Sequence, residues 1–405
     1  MQISIKNYFS LNLLLIFSLL VRVIAVFYFG DEKIEYEWSI LVDNLYEHGT
    51  LALYSFKDEL IPSVYMPPLY VFFIFLFKLI TPENVEFTKM VLITQTILST
   101  FSIFIFYKLN NFFFSKNWSL FNSFLFSIFP LNIYITTQIS SISLQTLLLI
   151  IYLYLLFSLS EIKSFTKLKI FFLSLVAGLL MLLRGEFYLI FVLTLIYFFL
   201  LKKINLKKTI AILIISLLVI SPYIIRNYYT FNKVTLTKSL GFNLWKGNNP
   251  YAKVEGSESF EAYSDNSINE KIENLPKDKL YEFHFDSLFF DESLIYIKEN
   301  PSIFIERYIK KFFSFFYLNI NSEYPNYFHP LFIFPIIFLS IFSTAGIIIS
   351  VKKLDYKNTY LLLYLLLTML IFSLFFILPR YKMIILPVQM IYMNYFLYNF
   401  FNKND

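Results

Sequence analysis

The chain has 405 residues, of which 58% are hydrophobic and only 15% charged, with a mean hydropathy of +0.63. Soluble domains carry about 25% charged residues, and no soluble core absorbs 51 Phe and 31 Tyr beside long Leu/Ile runs. The composition therefore predicts an all-α polytopic membrane protein. The net charge of +6 is small for the length, and its basic residues stand beside apolar segments as topology signals rather than as a nucleic-acid footprint. The absence of cysteine excludes disulfides and thiolate metal sites, and His48, His284 and His329 are too far apart for metal-ligand spacing.

The first apolar run, 9–29, follows Lys6 and lacks a small-x-small cleavage site, so it reads as a retained membrane helix rather than a signal peptide. Asp31, Glu32, Glu35 and Glu37 crowd in just after it and lead into an amphipathic helix, 36–48. The next apolar stretch, 69–80, starts after Pro67-Pro68 and contains Lys78; it is short for a crossing and reads as re-entrant or interfacial. Further spans are expected at 89–107, 118–136, 141–159, 168–184, 186–201 and 209–225. Residues 226–327 follow as one long loop, polar in the middle and closing with apolar residues at helical spacing, as a helix pair on the membrane would. The last spans are expected at 331–351, 359–378 and 382–399, which makes ten with the first. With 69–80 not crossing, Lys108, Lys116, Lys163, Lys167, Lys169, Lys202, Lys203, Lys207, Lys208, Lys352, Lys353 and Lys357 all fall on the N-terminal, cytoplasmic side, without an exception to the positive-inside rule.

That topology puts the unusual polar residues on the external face. The four acids follow span one; "QISSISLQ" (Gln138–Gln145) turns between spans three and four; Arg184 and Glu186 share the next external turn; Arg226-Asn227 follow span seven; Arg380 and Lys382 lie in "PRYK". Charges near the apolar core cost about 2.5–3.5 kcal/mol and face a cavity or partner. Carboxylates beside arginines suit a phosphate-bearing substrate and a group that must lose a proton. Each feature has a plainer reading. The acids can open helix 36–48, Arg184 and Glu186 can pair with each other, Arg380 and Lys382 can snorkel to headgroups, and Arg22 can bind a neighbouring helix.

The stretch "ISPYIIRNYYTFNKVTLTKSLGFNLWKGNNPYA" (Ile220–Ala252) resembles glycosyltransferase family 39 enzymes, whose pattern is close to P-W-x-I-R-N and then G-x-N-L-W-x-G-N-N-P, with Tyr223 here in place of Trp. Pro67-Pro68-Leu69-Tyr70, "GLLMLLRGEF" and "PRYKMIILP" match further family patterns in the same order. The resemblance implies the C-type membrane glycosyltransferase fold shared with protein O-mannosyltransferases and the aminoarabinose transferases of lipid A. It implies a polyprenyl-phosphate-sugar donor, and a first-loop carboxylate as general base on a protein, lipid or glycan acceptor. Asp31 fits the base best, with Glu37 and Glu35 as alternatives. Arg184, Arg226, Arg380 and Lys382 are candidates for the donor phosphate, and Tyr70, Trp245 and Asn248 for the substrate groove. Many relatives carry an acid where this chain has Gln145, which weakens a metal site of the oligosaccharyltransferase kind; no cofactor is expected, and a divalent metal is left open. The expected organisation is a membrane module 1–225 with catalytic loop 30–88, an external unit 226–327 and C-terminal helices 328–405, in a bacterial inner membrane. A lipid-linked-sugar flippase and a non-catalytic envelope scaffold are the competing readings; the near absence of acids inside the spans counts against the flippase.

Overall fold

The computed structural model describes residues 10–34, 36–81, 86–162, 164–256, 264–352 and 355–402. In chain order the helices are α1 (Leu11–Phe29), α2 (Tyr36–His48), α3 (Pro68–Ile80), α4 (Phe87–Asn110), α5 (Lys116–Ile128), α6 (Pro130–Thr137), α7 (Ile142–Glu161), α8 (Thr166–Leu183), α9 (Phe187–Leu200), α10 (Leu206–Phe231), α11 (Leu240–Gly247), α12 (Asn266–Glu273), α13 (Tyr281–Glu299), α14 (Pro301–Phe316), α15 (Pro330–Val351), α16 (Tyr356–Ser373) and α17 (Leu386–Asn402), with a 3-10 turn at Pro379–Ile384 before the last. Among the described residues, α1, α4, α7, α8, α10, α15 and α16 are long and apolar enough to cross a membrane. The pair α5 and α6 makes an eighth span if counted together. Two expected spans fall outside this set: 186–201 gives the 14-residue α9, short for a crossing, and 382–399 gives the 3-10 turn and the 17-residue α17, at the short limit of one.

The expected span 118–136 is broken at Phe129-Pro130 by a 50° bend. Pro130 has no N–H to give to the Phe126 carbonyl, so the helix cannot run through. Two side chains satisfy what the break uncovers. Asn132 Nδ2 donates to Phe126 O at 2.9 Å, and Arg22 Nη1 reaches across from α1 to Ser127 O at 3.0 Å. Arg22 is fully buried and also donates to Ser99 Oγ (2.9 Å) and Ser18 Oγ (2.6 Å). The alternative that Arg22 binds neighbouring helices is the one the structure takes.

Close helix packing depends on missing side chains. A Cβ on Gly346 would lie 1.7 Å from Tyr392 O, so only glycine lets α15 lie against α17. At one end of the bundle the lysine-bearing loops gather: Lys357 pairs with Glu161 at 2.7 Å and donates to Phe112 O, and Lys203 lies 4.0 Å over the Tyr356 ring.

The opposite end carries a hairpin absent from the sequence reading. Strand β1 (Ala52–Phe56) pairs antiparallel with β2 (Glu59–Pro62). The two-residue turn between them, Lys57-Asp58, has φ of 50° and 65°, the double left-handed geometry of a type I′ turn. Ile61 and Tyr65 then pack with Phe242, Trp245, Tyr281 and Phe289 into a second apolar core, which fixes the hairpin region on α11 and α13.

Candidate active site

Asp31 leaves α1 through Gly30, where a Cβ would strike Val26 O at 2.4 Å. The exit is anchored on the turn after α6. Asp31 N donates to Thr137 O (2.9 Å), Asp31 Oδ2 accepts the Ile139 N–H (2.7 Å), and Oδ1 accepts Gln138 Nε2 (3.3 Å). A chain of amides runs inward from there. Gln95 Nε2 donates to Gln138 O at 2.8 Å, and the Tyr70 hydroxyl donates to Gln95 Oε1 at 2.7 Å. The Trp38 ring meets the Tyr70 ring edge-on at 5.0 Å.

The far end of the same segment holds a cation. Gln145, in the first turn of α7, accepts from Arg184 Nε at 2.8 Å. Arg184 is the extended residue that ends α8; its guanidinium lies 5.1 Å from the Tyr381 ring centre and 3.9 Å from Glu186. Segment 138–145 thus carries Asp31 at one end and Arg184 at the other. Gln145, noted in the sequence only as a missing acid, is the residue that orients the arginine.

A cavity of about 590 Å³ lies among α3, α8 and α10. Its wall is apolar, with Leu69, Phe72, Leu182 and Val219, and among its lining residues Arg226 is the one cation. Arg184 lines a separate, smaller pocket with Gln145, Leu180, Glu186, Phe187 and Tyr364. Arg226 Nη1 donates to Ser63 O (2.8 Å) and to Asn227 Oδ1 (2.9 Å), which leaves guanidinium nitrogens for a ligand.

The remaining expected residues divide. Glu37 is half-buried in the first turn of α2, and burial together with Glu37 raises the Tyr65 hydroxyl pKa well above its usual range. Glu35 lies outside the described residues, and Arg380 is half-buried in the 3-10 turn. Four further expected residues are engaged within the protein. Lys382 is buried and caps the end of α14 by donating to Ser314 O, Phe315 O and Tyr317 O, so its ammonium does not face a phosphate site. Trp245 is a core residue against Phe289. Asn248 spends its amide on Leu244 O (2.9 Å) and Leu374 O (2.7 Å). Tyr70 is fully buried, and its neighbours Pro68 and Leu69 line the cavity instead. The "GNNP" loop is itself pinned from α14, by Lys311 Nζ on Gly247 O and Arg307 Nη1 on Asn249 O.

Among the described residues no group of three His, Cys, Asp or Glu converges, and both Asp31 oxygens accept N–H groups.

The chain is similar over 97% of its length to the archaeal oligosaccharyltransferase AglB from Archaeoglobus fulgidus, solved in complex with an inhibitory peptide and a dolichol-phosphate, with a TM-score of 0.58 at 14% identity. The same oligosaccharyltransferase, tethered through a disulfide to an acceptor peptide containing the NVT sequon, matches 98% of the chain with a TM-score of 0.57 at 15% identity. ArnT from Cupriavidus metallidurans in the apo state is matched over 96% of the chain at 10% identity, with a TM-score of 0.39. The chain spans about half the length of the oligosaccharyltransferase, 50% in both structures. No protein-family model matches, and no curated protein does. What the two oligosaccharyltransferase structures share with this chain is the fold, along its whole course.

Proposed function

We propose that this chain transfers a sugar from a polyprenyl-phosphate donor to a hydroxyl acceptor at the outer membrane face, with Asp31 as general base and Arg184 and Arg226 as the phosphate-binding cations. The observation that carries the reading is the shared scaffold: one short segment, 138–145, holds the carboxylate and the arginine. The N–H groups of Gln138 and Ile139 fix the Asp31 carboxylate in one orientation, as a general base requires. As the bond from acceptor oxygen to sugar carbon forms, the bond from that carbon to phosphate oxygen breaks. The proton goes to Asp31, and the charge left on the phosphate meets Arg184, whose planar fork suits it. The cavity at Arg226 takes the first part of the lipid tail, its single cation beside the phosphate and its apolar wall against the isoprenoid.

Asp31→Asn keeps the shape and one acceptor oxygen but cannot take a proton. Its transfer rate in purified, membrane-reconstituted protein is expected to fall by about 10²–10⁴-fold with donor binding retained. Transfer at the wild-type rate would remove Asp31 from the role. Mass spectrometry of envelope glycolipids and glycoproteins from a deletion strain identifies the sugar and the acceptor.

A further inference from the structure

Glu282 has no part in the proposed chemistry; it stands in the first turn of α13 and is 3% exposed. Its Oε2 accepts the Val64 N–H at 2.6 Å, a contact between residues 218 positions apart. Its Oε1 is buried with no hydrogen-bond partner. The segment it grips, 63–65, is held from three other directions. Arg226 Nη1 donates to Ser63 O at 2.8 Å, Lys238 N donates to Val64 O at 2.9 Å, and Ser63 N donates to Leu51 O at 2.6 Å. Two residues further on, Pro67-Pro68 starts α3, which carries Tyr70 on one side and the cavity wall, Leu69 and Phe72, on another.

We propose that Glu282 is a positioning residue, a latch from α13 that fixes segment 63–65 and so sets where α3 places the cavity wall beside Arg226. The latch holds hardest when Glu282 carries a proton. Burial raises its pKa from the ordinary carboxylate range to about 7, against the opposing pull of the Ser63 hydroxyl, the Val64 and Tyr65 N–H groups and the Arg226 charge. An opened segment exposes the carboxyl to water and returns it to its ordinary pKa. The closed state therefore binds the proton more tightly, and closure is weakened as pH rises from the ordinary carboxylate range to about 7. The groups facing Glu282 are Arg226 and Tyr223 on α10, Tyr54 on β1 and Tyr65 in the segment itself. On its own helix, Asp286 is paired with Lys238 at 3.0 Å.

Hydrogen exchange at the Val64 and Tyr65 amides of the full chain in nanodiscs, corrected for intrinsic rates, tests the latch. Wild-type protection is expected to drop as pH rises from the ordinary carboxylate range to about 7 and to level off above it, by up to the order of a hundred-fold in all. Glu282→Gln keeps an acceptor for Val64 and cannot ionise, so it should hold protection at every pH. Glu282→Ala should lose protection throughout. Wild-type protection that does not change with pH, or a Glu282→Gln profile that follows the wild type, would overturn the proposal. The link to the cavity rests on the transfer reading, and sugar transfer by the same variants tests it: Gln should sustain the rate and Ala lower it. Exchange does not depend on turnover. A chain that transfers no sugar while its exchange follows the pattern above removes the transferase reading and leaves the latch standing.

Discussion

At Lys382 an ammonium stands in for the N–H groups that the last carbonyls of α14 lack, with Ser314, Phe315 and Tyr317 all accepting from it. Each carbonyl stripped of that donor costs about 1–3 kcal/mol. Lys382→Met is therefore expected to lower the thermal midpoint in detergent by several degrees while the donor KM stays near wild type. Arg184 should behave in the opposite way. Gln145→Ala removes the group that orients its Nε, so the donor KM should rise about tenfold or less with little change in thermal midpoint, as the loss of roughly one charge-assisted hydrogen bond implies. Titration of initial rates against donor separates the two cases. The difference between these cations was not legible in the sequence. Both are basic letters in short turns, and only the fold shows that one faces carbonyls and the other an amide beside a cavity. Asp31 and Arg184 stood out because charge is rare near apolar runs. Gln95, Gln138 and Gln145 carry no such signal, since an uncharged amide is unremarkable until its partners are known.

Among the elements, the bent pair α5 and α6 matters most to the site. Arg22 ties α1 to the break at Ser127, and Asp31, just past the end of α1, ties it again at Thr137 and Ile139. Helix α1 therefore holds α6 at both ends. Arg22→Leu leaves the Ser127 carbonyl bare inside the apolar layer, at a cost of several kcal/mol. Such a variant is expected to unfold at lower temperature and to lose transfer activity even where it inserts, because the turn that receives Asp31 loses its tether. Unfolding by circular dichroism beside an activity assay on the surviving folded fraction checks both parts. The helices α1, α4, α7, α8, α10, α15 and α16 were legible because uninterrupted apolar length has one common cause. The break at Pro130 was readable in principle from proline's missing N–H, but it lay within a run apolar enough to pass as one span. The β1–β2 hairpin was hidden because Lys57-Asp58 adopts a turn usually marked by Asn-Gly.

Over the whole molecule, charge separates the two ends of the bundle. Lysines gather where α7 and α9 end and α16 begins, and the carboxylate, arginines and cavity gather at the other end. By the positive-inside rule the lysine end is expected on the cytoplasmic side. The sequence contains no cysteine, so single cysteines report orientation without background. Asp58→Cys, in the hairpin turn, should react with a membrane-impermeant maleimide on intact cells. Lys202→Cys should react only after permeabilisation, and the reverse pattern would invert the topology.

Because Asp31 and Arg184 hang from the two ends of segment 138–145, their separation is set by a few covalent links rather than by the packing of distant helices. Bilayers of different thickness can tilt the spans and carry the site up or down. The spacing between Asp31 and Arg184 travels with the segment, so under the proposed transfer the lipid environment should change how readily substrates reach the site more than how fast the bound pair reacts.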